Sequence, residues 1–463
     1  MLVVGAGPAG TAFALLLARA GVPVQLVESQ RQHQRLLRGD GLMPSGLEAL
    51  QRMGLAPLLA NLPQRQLAGW SFYLKGQPLF SVAEPMGSPA PCTLIDTAAL
   101  LNGMLEQALA CPSFSFLPGK AVDRLLIEPE TAAPPPPAGP VGDSQAGDSR
   151  VKGVVLEDGS ELSADLVVAC DGRGSRLRRQ AQLERQEEAT GLEVLWFELD
   201  AAAAALLQPW LAQRFVTLIG EESSYALFGT AQGGVRVGWL QQRGGEGGEQ
   251  GGSEGSEEGD GPSAATPWPE RWARSSPPAL AALWRSLPAA SLRPPLRFAI
   301  RPGLAPGWER PGLLLLGDGA HPMSPLRAQG LNMALRDALV AAEQLLPLLV
   351  PPAAASAAST SSSSNANANA NASANGDRPA PDQQLHQLDA ALVAVRRLRL
   401  PEISKVQALQ RQELSRAELL RRLPILRRLL AATARWSGPL LARRWLAGQP
   451  TLRSGLPLPK RPA

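Results

Sequence analysis

A glycine-rich turn close to the amino terminus constrains the fold of this chain more than any other segment. The opening residues MLVVGAGPAG place the pattern G-x-G-x-x-G between an apolar strand that ends at Val4 and an apolar helix over residues 11–20. Glycines at this spacing allow a tight turn and let the backbone approach a pyrophosphate, to which the helix N-terminus offers N–H donors. The segment predicts a dinucleotide site with contacts from Gly5, Gly7, Pro8, Ala9 and Gly10.

A second strand supports this prediction. Residues 22–27 are apolar and lead into Glu28, which follows Gly10 by 18 residues. A carboxylate at this point is expected to accept hydrogen bonds from the ribose hydroxyls of a dinucleotide. Strand, helix, second strand and acid occur in the required order, which makes the pattern more specific than three glycines alone.

Two segments far downstream share the arrangement of a buried strand that ends in an acidic turn. An apolar strand over residues 166–169 is followed by Cys170-Asp171-Gly172, and a second one over residues 313–316 is followed by Gly317-Asp318. The free carboxylate of Asp318 at the carboxyl end of its strand suits polyol hydroxyls, two of which can donate hydrogen bonds to it at once.

Together the three segments resemble the group A flavoprotein monooxygenases, the para-hydroxybenzoate hydroxylase family. That family carries a glycine fingerprint, a DGxxSxxR segment and a GDxAH…P…GxN segment in this order. The resemblance covers roughly residues 1–345 and implies that FAD is the tightly bound dinucleotide. The residues that match the second and third segments are Asp171, Gly172, Ser175, Arg178, Gly317, Asp318, Ala320, His321, Pro325, Gly330 and Asn332.

The resemblance implies roles around the third segment. Asp318 would bond the ribityl chain of FAD, because one carboxylate can accept hydrogen bonds from two hydroxyls. A helix predicted over residues 331–346 would point its N-terminal N–H groups at flavin N1 and the C2 carbonyl, where negative charge develops on reduction. His321 is expected to be structural. The predicted contacts at the helix start are Gly330, Leu331 and Asn332.

The same segment departs from the family at one position. Many relatives read P-x-G-G-Q-G, whereas this chain has Arg327 between Pro325 and Gly330. Pro325 would lie close to the flavin face. Arg327 either holds an anionic reduced flavin or an acidic substrate group, or it points into solvent. Both residues are candidate catalytic residues.

Two more candidates belong near the phosphates. In the family the acid at the Asp171 position lies close to the FAD pyrophosphate and the path of NAD(P)H, although a plain strand-to-helix turn would also use an acid there. Arg38 matches a family arginine near the FAD phosphates or NAD(P)H, where a guanidinium pairs well with phosphate. The alternative for Arg38 is an arginine exposed to solvent.

Low-complexity segments divide the chain. They lack the apolar side chains that offset the entropy of ordering, so we expect disordered insertions in surface loops, the first two at hairpin tips. The insertions are 129–150, 244–265 and 351–382. The predicted FAD-binding parts are 1–66, 92–185 and 301–350, the substrate parts are 67–91 and 186–300, and a helical region spans 383–450.

The fold class that follows is α/β: a Rossmann-type FAD-binding domain, an antiparallel β-sheet substrate domain and a C-terminal helical region. Short, partly alternating apolar runs over residues 67–82 and 192–241 predict the sheet. Its aromatic side chains would form a pocket wall over the flavin. The candidates for that wall are Trp70, Tyr73, Phe80, Trp196, Phe197 and Trp239.

The C-terminal region is unusually basic. Residues 391–463 hold 16 basic and 3 acidic residues, a net charge of +13, whereas the whole chain has a net charge of +4. Leucines recur near helical spacing, with interruptions expected at Pro424 and Pro439. We expect either a helical cap on the flavin domain with a solvated basic face, or peripheral contact with an anionic membrane. Nucleic-acid binding is not expected, because the basic region lacks a recognition motif.

The sequence therefore predicts an FAD-dependent monooxygenase that uses NAD(P)H and O2 to hydroxylate or epoxidise an aromatic or isoprenoid-like small molecule. The alternatives are an FAD-dependent reductase of the geranylgeranyl reductase type and a non-catalytic flavin-binding protein. Three cysteines without paired or metal-ligand spacing predict a reducing cytoplasmic location and no metal site. Membrane association, if any, would be peripheral.

Overall fold

A computed structural model describes residues 1–31, 40–128, 149–221, 223–243, 267–350 and 381–458. Its two largest sheets have six and seven strands, and helices cover both. The first ten strands are β1 Leu2–Val4, β2 Val24–Glu28, β3 Gly41–Leu42, β4 Gln64–Gln66, β5 Gly69–Leu74, β6 Gln77–Ala83, β7 Thr93–Ile95, β8 Phe114–Pro118, β9 Val122–Ile127 and β10 Val151–Leu156. The remaining strands are β11 Glu161–Ser163, β12 Val167–Ala169, β13 Gln186–Glu187, β14 Leu192–Glu198, β15 Arg214–Ile219, β16 Ser224–Gly229, β17 Val235–Gln242, β18 Leu296–Ala299, β19 Gly303–Leu304, β20 Glu309–Arg310 and β21 Leu313–Leu315.

Helices connect and cover these strands. The helices are α1 Pro8–Arg19, α2 Pro44–Arg52, α3 Ala56–Ala60, α4 Thr97–Leu109, α5 Arg176–Gln180, α6 Ala201–Leu211, α7 Trp268–Ala273, α8 Pro278–Ser286, α9 Gln329–Leu349, α10 Pro381–Arg422, α11 Pro424–Ala432, α12 Ala434–Leu446 and α13 Gln449–Ser454. Helix α9 starts two residues earlier than the sequence predicted.

The six-stranded sheet carries all three sequence motifs. Its order is β20-β21-β12-β1-β2-β8, and only β20 runs antiparallel to its neighbour. The central strands β1, β12 and β21 are three apolar residues long and fully buried, as expected for parallel strands covered on both faces. Because parallel strands end at the same edge, the three motif turns meet there. We call this sheet with α1 and α9 the flavin half.

The seven-stranded sheet has the order β18-β14-β17-β16-β15-β5-β6. Its strands pair antiparallel except β15 with β5, which run parallel, and α6 connects β14 to β15. One face packs against α6, α7 and α8, and the other faces the flavin half. We call it the substrate half. The mixed architecture confirms the predicted fold class.

Two of the predicted insertions have described flanks. The first lies between β9 and β10, which form an antiparallel pair, so its position at a hairpin tip is confirmed. The second lies between β17 and α7, so its prediction as a hairpin tip is wrong: the chain leaves the sheet after Gln242 and enters a helix. The last two residues of the third, 381 and 382, lie in α10, and the interior of all three lies outside the described residues.

The C-terminal helices lie on both halves. Helix α10 packs along α9 and against β20, whereas α11 and α12 lie over β5 and β6. A helix boundary falls at Pro424 as predicted, but Pro439 lies inside α12, so that predicted interruption is wrong. A proline removes one N–H donor from a helix, and the close packing of α12 on β6 outweighs that loss. No helix in the described parts of the chain is long and apolar enough to cross a membrane.

Candidate active site

A cavity of about 330 Å³ lies between the flavin half and the substrate half. Its floor is the edge at which the three motif turns meet, and its opposite wall is the free face of the seven-stranded sheet. The sequence motifs and the predicted substrate sheet therefore face one space. The floor is backbone-rich and polar, whereas the wall is aromatic.

The glycine turn forms one end of the floor. Gly5 has a φ of +98°, and a Cβ there would lie 2.4 Å from the Cys170 carbonyl oxygen, so only glycine fits between β1 and β12. A Cβ on Gly10 would lie 1.9 Å from the Gly5 oxygen. Gly7, by contrast, has no atom within 4 Å of such a Cβ and faces the cavity. The first turn of α1, with Pro8 and Ala9, thus opens onto a space that a phosphate could fill.

Glu28 lies beside this turn at the end of β2. Its Oε2 accepts a hydrogen bond from the Ala6 N–H at 2.7 Å, and its Oε1 accepts one from the Gln30 N–H at 2.9 Å. The carboxylate braces the glycine turn and does not line the cavity. Its predicted contact with a ribose stays a prediction.

Asp318 lies in the turn after β21 and lines the cavity. Its side chain is about one third exposed, and its Oδ2 pairs with Arg173 Nε at 3.1 Å. Arg173 also donates to the Met323 carbonyl at 2.8 Å and lies over the Phe298 ring at 4.3 Å. The sequence reasoning missed Arg173, although it stands inside the DGxxSxxR segment as one of its variable positions. Both residues line the cavity.

Asp171 lies beneath the floor. Burial raises its pKa, while hydrogen bonds from Ser175 and from backbone N–H groups, including that of Leu177, partly offset this rise. Its Oδ2 accepts from the Leu177 N–H at 3.1 Å, but its buried Oδ1 has no hydrogen-bond partner among the described residues. A buried acceptor without a hydrogen-bond donor lowers the stability of the folded protein. A ligand hydroxyl or an ordered water would satisfy it.

The start of α9 closes the floor of the cavity. Gly330 and Leu331 line the cavity as expected. Asn332 does not: its Oδ1 accepts from the Met43 N–H at 2.8 Å, and its Nδ2 donates to the Gly41 carbonyl at 3.0 Å. Its side chain is fully buried and clamps β3 to α9. The asparagine side chain therefore supports the floor, and its predicted contact with the cofactor stays a prediction.

The side chain of Arg327 is almost fully buried, so the alternative that it points into solvent is wrong. Its guanidinium forms a two-point ion pair with Glu413 of α10, at 2.9 and 3.1 Å. It lies between the rings of Trp70 and Trp445, with Cζ 4.8 and 4.7 Å from their centroids. Arg327 has a left-handed φ of +63°, which directs the side chain to these partners. Pro325 lines the cavity two residues earlier, as predicted.

A buried charge network lies behind the third motif. His321 Nε2 contacts Asp337 Oδ2 at 2.5 Å, and Arg399 Nε of α10 contacts Asp337 Oδ1 at 2.7 Å. Burial alone would raise the pKa of Asp337, but the charges of His321 and Arg399 and their hydrogen bonds hold it below its ordinary value. Arg399 and Arg336 also pair with Glu402. His321 is thus a structural residue, as expected, that anchors the motif to α9 and α10.

The aromatic wall is only partly as predicted. Trp70 and Trp196 line the cavity. Tyr73, Phe197 and Trp239 belong to the core on the other face of the sheet, so their prediction as wall residues is wrong. Phe80 packs on Phe72 and Trp445 behind the wall. The sequence missed three wall residues: Phe215, Phe228 and Phe298.

Phe215 and Phe228 stand opposite each other on β15 and β16, and their rings stack with centroids 5.1 Å apart. Trp70 contacts Phe215 at 4.6 Å, and Trp196 meets Phe228 edge-on at 6.0 Å. Cys92 adds an apolar surface, because burial raises the pKa of its thiol to about 12 and keeps it protonated. The wall suits a flat or apolar molecule.

Two predictions remain, the phosphate contact of Arg38 and the absence of a metal site. Arg38 lies outside the described residues, so its predicted phosphate contact stays a prediction. Within the described ranges there is no group of three or more histidine, cysteine or acidic side chains able to hold a metal ion.

Comparison with known proteins decides the family. The sequence profile described as "FAD binding domain" matches residues 1–256 and 266–371. The chain is 32% identical over 346 residues to 6-methylpretetramide 4-monooxygenase of Streptomyces rimosus, covering 73% of each protein. The chain belongs to the group A FAD-dependent monooxygenases.

Two further similarities bear on this monooxygenase. A squalene monooxygenase of Panax ginseng is 28% identical over 185 residues, which span 39% of this chain and 31% of that enzyme. The crystal structure of Pseudomonas aeruginosa PqsL in complex with 2-aminobenzoylacetate superposes with a TM-score of 0.65 over 93% of this chain and 98% of PqsL, at 19% identity. This structural similarity shows that the two chains share a fold.

The observed floor fits the FAD that the family binds. The open side of Gly7 and the cavity-facing Asp318 offer a space for a phosphate and an acceptor for hydroxyl groups. The chain is therefore an FAD-dependent oxidoreductase with a cavity between its cofactor floor and an aromatic wall.

Proposed function

We propose that this monooxygenase uses NAD(P)H and O2 to hydroxylate or epoxidise an apolar aromatic or isoprenoid-like molecule. The observation that carries the proposal is the aromatic wall directly opposite the flavin floor. Its stacked rings would hold a flat or apolar substrate and exclude water from the reaction. The relatives support this class, since one is named for 6-methylpretetramide and another for squalene.

The proposed residue roles follow the position of each group. The first N–H groups of α1, at Ala9 and Gly10, would bind the FAD phosphates, and Glu28 would bind the ribose. Asp318 would accept hydrogen bonds from the ribityl hydroxyls. Arg38 would contact the phosphates or NAD(P)H, and Asp171 would lie near the FAD pyrophosphate and the path of NAD(P)H.

Bound FAD supplies the electron and oxygen transfer, and the chain supplies the surroundings. The N–H groups at Gly330 and Leu331 would stabilise negative charge on the reduced ring. Pro325 would limit the approach of substrate to the ring face. Arg327, already neutralised by Glu413, would shape the cavity as a rigid, flat group. Since the sequence has one glycine fingerprint, NAD(P)H would bind transiently in a surface groove.

Product-linked oxygen uptake tests this function. The purified protein should be yellow and release FAD on denaturation. NAD(P)H oxidation is then screened with phenols, quinol precursors and isoprenoids while dissolved oxygen is recorded. Oxygen consumption that matches product formation supports the monooxygenase. Substrate reduction without oxygen uptake would instead identify the reductase, and failure of NAD(P)H to reduce the flavin with any ligand would favour the non-catalytic protein.

We further propose peripheral contact between the basic C-terminal region and an anionic membrane. The net charge of +13 over residues 391–463 supports it. In this setting the enzyme would work at the cytoplasmic face of a membrane and take an apolar substrate from it.

A further inference from the structure

Helices α11 and α12 have two contrasting faces. Their inner residues Leu430, Leu441 and Trp445 belong to one hydrophobic cluster with the sheet. Gly438 lies so close to β6 that a Cβ there would be 2.1 Å from the Leu79 carbonyl oxygen. Both helices therefore press against the same side of the substrate half, and their outer faces point the same way.

The outer faces are apolar and strongly exposed. Ile425 is 81% exposed and Leu429 58% on α11, and Trp436 and Leu440 are each 69% exposed on α12. Single exposed leucines are ordinary on soluble proteins, but four large apolar residues on two adjoining short helices form a patch. We call these four residues the apolar strip.

Arginines surround the apolar strip. Each of them is exposed, and on α12 they flank Trp436 and Leu440 along the same helix face. The sequence has no acidic residue after Glu418. A second copy of this chain would bring the same positive face and be repelled. The arginines are Arg428, Arg435, Arg443 and Arg444.

We propose that the apolar strip and its arginines dock on the surface of an anionic lipid bilayer. Apolar side chains that enter the headgroup region, with arginines reaching lipid phosphates around them, are how interfacial helices bind. Only the purpose of this contact, which is delivery of an apolar substrate, rests on the proposed function.

The same helix joins this surface to the active site. Trp445, on the inner face of α12, stacks on Arg327, whose side chain lines the cavity. One helix diameter therefore separates the docked bilayer from the cavity wall. A substrate dissolved in the bilayer would have a short path to the flavin floor.

Vesicle co-sedimentation of the full-length, FAD-loaded protein tests the docking. The vesicles are phosphatidylcholine alone or phosphatidylcholine with phosphatidylglycerol. We expect binding to the anionic vesicles only, reversed by high salt. The double variant Arg443→Gln/Arg444→Gln should bind about thirtyfold more weakly, since each arginine near such a surface contributes about 1 kcal/mol. Trp436→Ser should bind at least about tenfold more weakly.

Matched controls keep the test specific. Leu206→Ser removes a leucine of α6 that is 51% exposed, and Arg124→Gln removes an exposed arginine from β9; both should bind like the parent protein. Point variants are preferable to truncation, because α10 completes the buried charge network. FAD content and melting temperature of every variant confirm folding.

The proposal is overturned if the parent protein ignores anionic vesicles at low salt, or if the strip variants bind like the controls. It is also overturned if sedimentation velocity shows a dimer that Trp436→Ser dissociates while vesicles are not bound. Oxygen uptake with a soluble aromatic substrate, without vesicles, separates the two proposals. Uptake without docking overturns only the docking, whereas docking without uptake supports the docking and overturns the proposed activity.

Discussion

The flavin half and the substrate half enclose one cavity by different means. The flavin half presents backbone: a glycine turn, a helix N-terminus and two acidic turns at the ends of short buried strands. The substrate half presents side chains, namely stacked aromatic rings on the free face of an antiparallel sheet. The first arrangement fits one cofactor closely, whereas the second can be remodelled by exchanging single rings. Backbone groups of the flavin half therefore determine which cofactor binds, whereas side chains of the substrate half determine which substrate binds.

Disrupting the buried charges of the flavin half should have the largest effect. Arg399→Met removes one of the two partners of Asp337 and one of the two arginine partners of Glu402, both buried, and it should cost about 3–5 kcal/mol of folding free energy. Thermal and denaturant unfolding of the FAD-loaded protein measure the loss. The control is Arg397→Met, an exposed arginine on the same helix, which should stay within about 0.5 kcal/mol. Equal losses in both variants would show that the network contributes nothing special.

The same network predicts a pH dependence. The folded protein holds the pKa of Asp337 below its ordinary value, so the stabilisation is complete above about pH 4 and is lost as pH falls through the folded-state pKa. Asp337→Asn lacks this titration. The stability difference between the parent protein and this variant should therefore shrink as pH falls below about 4. A difference that stays constant down to acid unfolding would contradict the assignment.

Cofactor affinity should depend on the floor and not on the wall. Asp318→Ala removes a charged acceptor and should weaken FAD binding by roughly 1.5–3 kcal/mol. Titration of the apoprotein with FAD, followed by flavin fluorescence, measures this. An unchanged affinity would show that Asp318 serves only its pair with Arg173.

Substrate affinity should show the reverse. Phe215→Leu removes the stack with Phe228 while keeping an apolar side chain, and it should weaken binding of an aromatic ligand by about 0.5–1.5 kcal/mol. FAD affinity should not change. Ligand titration monitored by the flavin absorbance provides both values. A parallel fall in FAD affinity would mean that the two halves are not separable.

The smallest effect is expected outside both halves. Replacing residues 244–265 with a short glycine linker should alter folding free energy by only about 0.6 kcal/mol, because the cost of closing a loop changes slowly with its length. Melting temperature and flavin content check this. A large fall would show that the segment packs on the substrate half.

This contrast also explains what the sequence could predict. The glycine turn and the acids at strand ends are local requirements of the backbone, so they were visible as motifs, and the cavity contains Gly7, Asp318 and Pro325 as expected. The residues of the aromatic wall are harder to predict from sequence. Neighbours such as Trp196 and Phe197 point to opposite faces of the sheet, and only the pairing register decides which of them faces the cavity. Phe215 and Phe228 meet across two strands and share no motif.

Asn332 shows a different difficulty. It stands in a motif, yet its side chain binds the backbone at Gly41 and Met43, almost three hundred residues earlier. Sequence spacing cannot distinguish an amide that contacts a ligand from one that holds a distant strand in place. Arg327 likewise has its partners, Glu413 and Trp445, in the C-terminal helices.

The charge network across α9 and α10 limits how this protein can change during evolution. Recombination that exchanged the C-terminal helices with those of a relative would have to bring in Arg399 and Glu402 together, or remove one buried partner each from Arg336 and Asp337. Exchange of the whole segment therefore requires a donor that carries both residues. A single substitution in the aromatic wall carries no such requirement, because the wall has no part in this network.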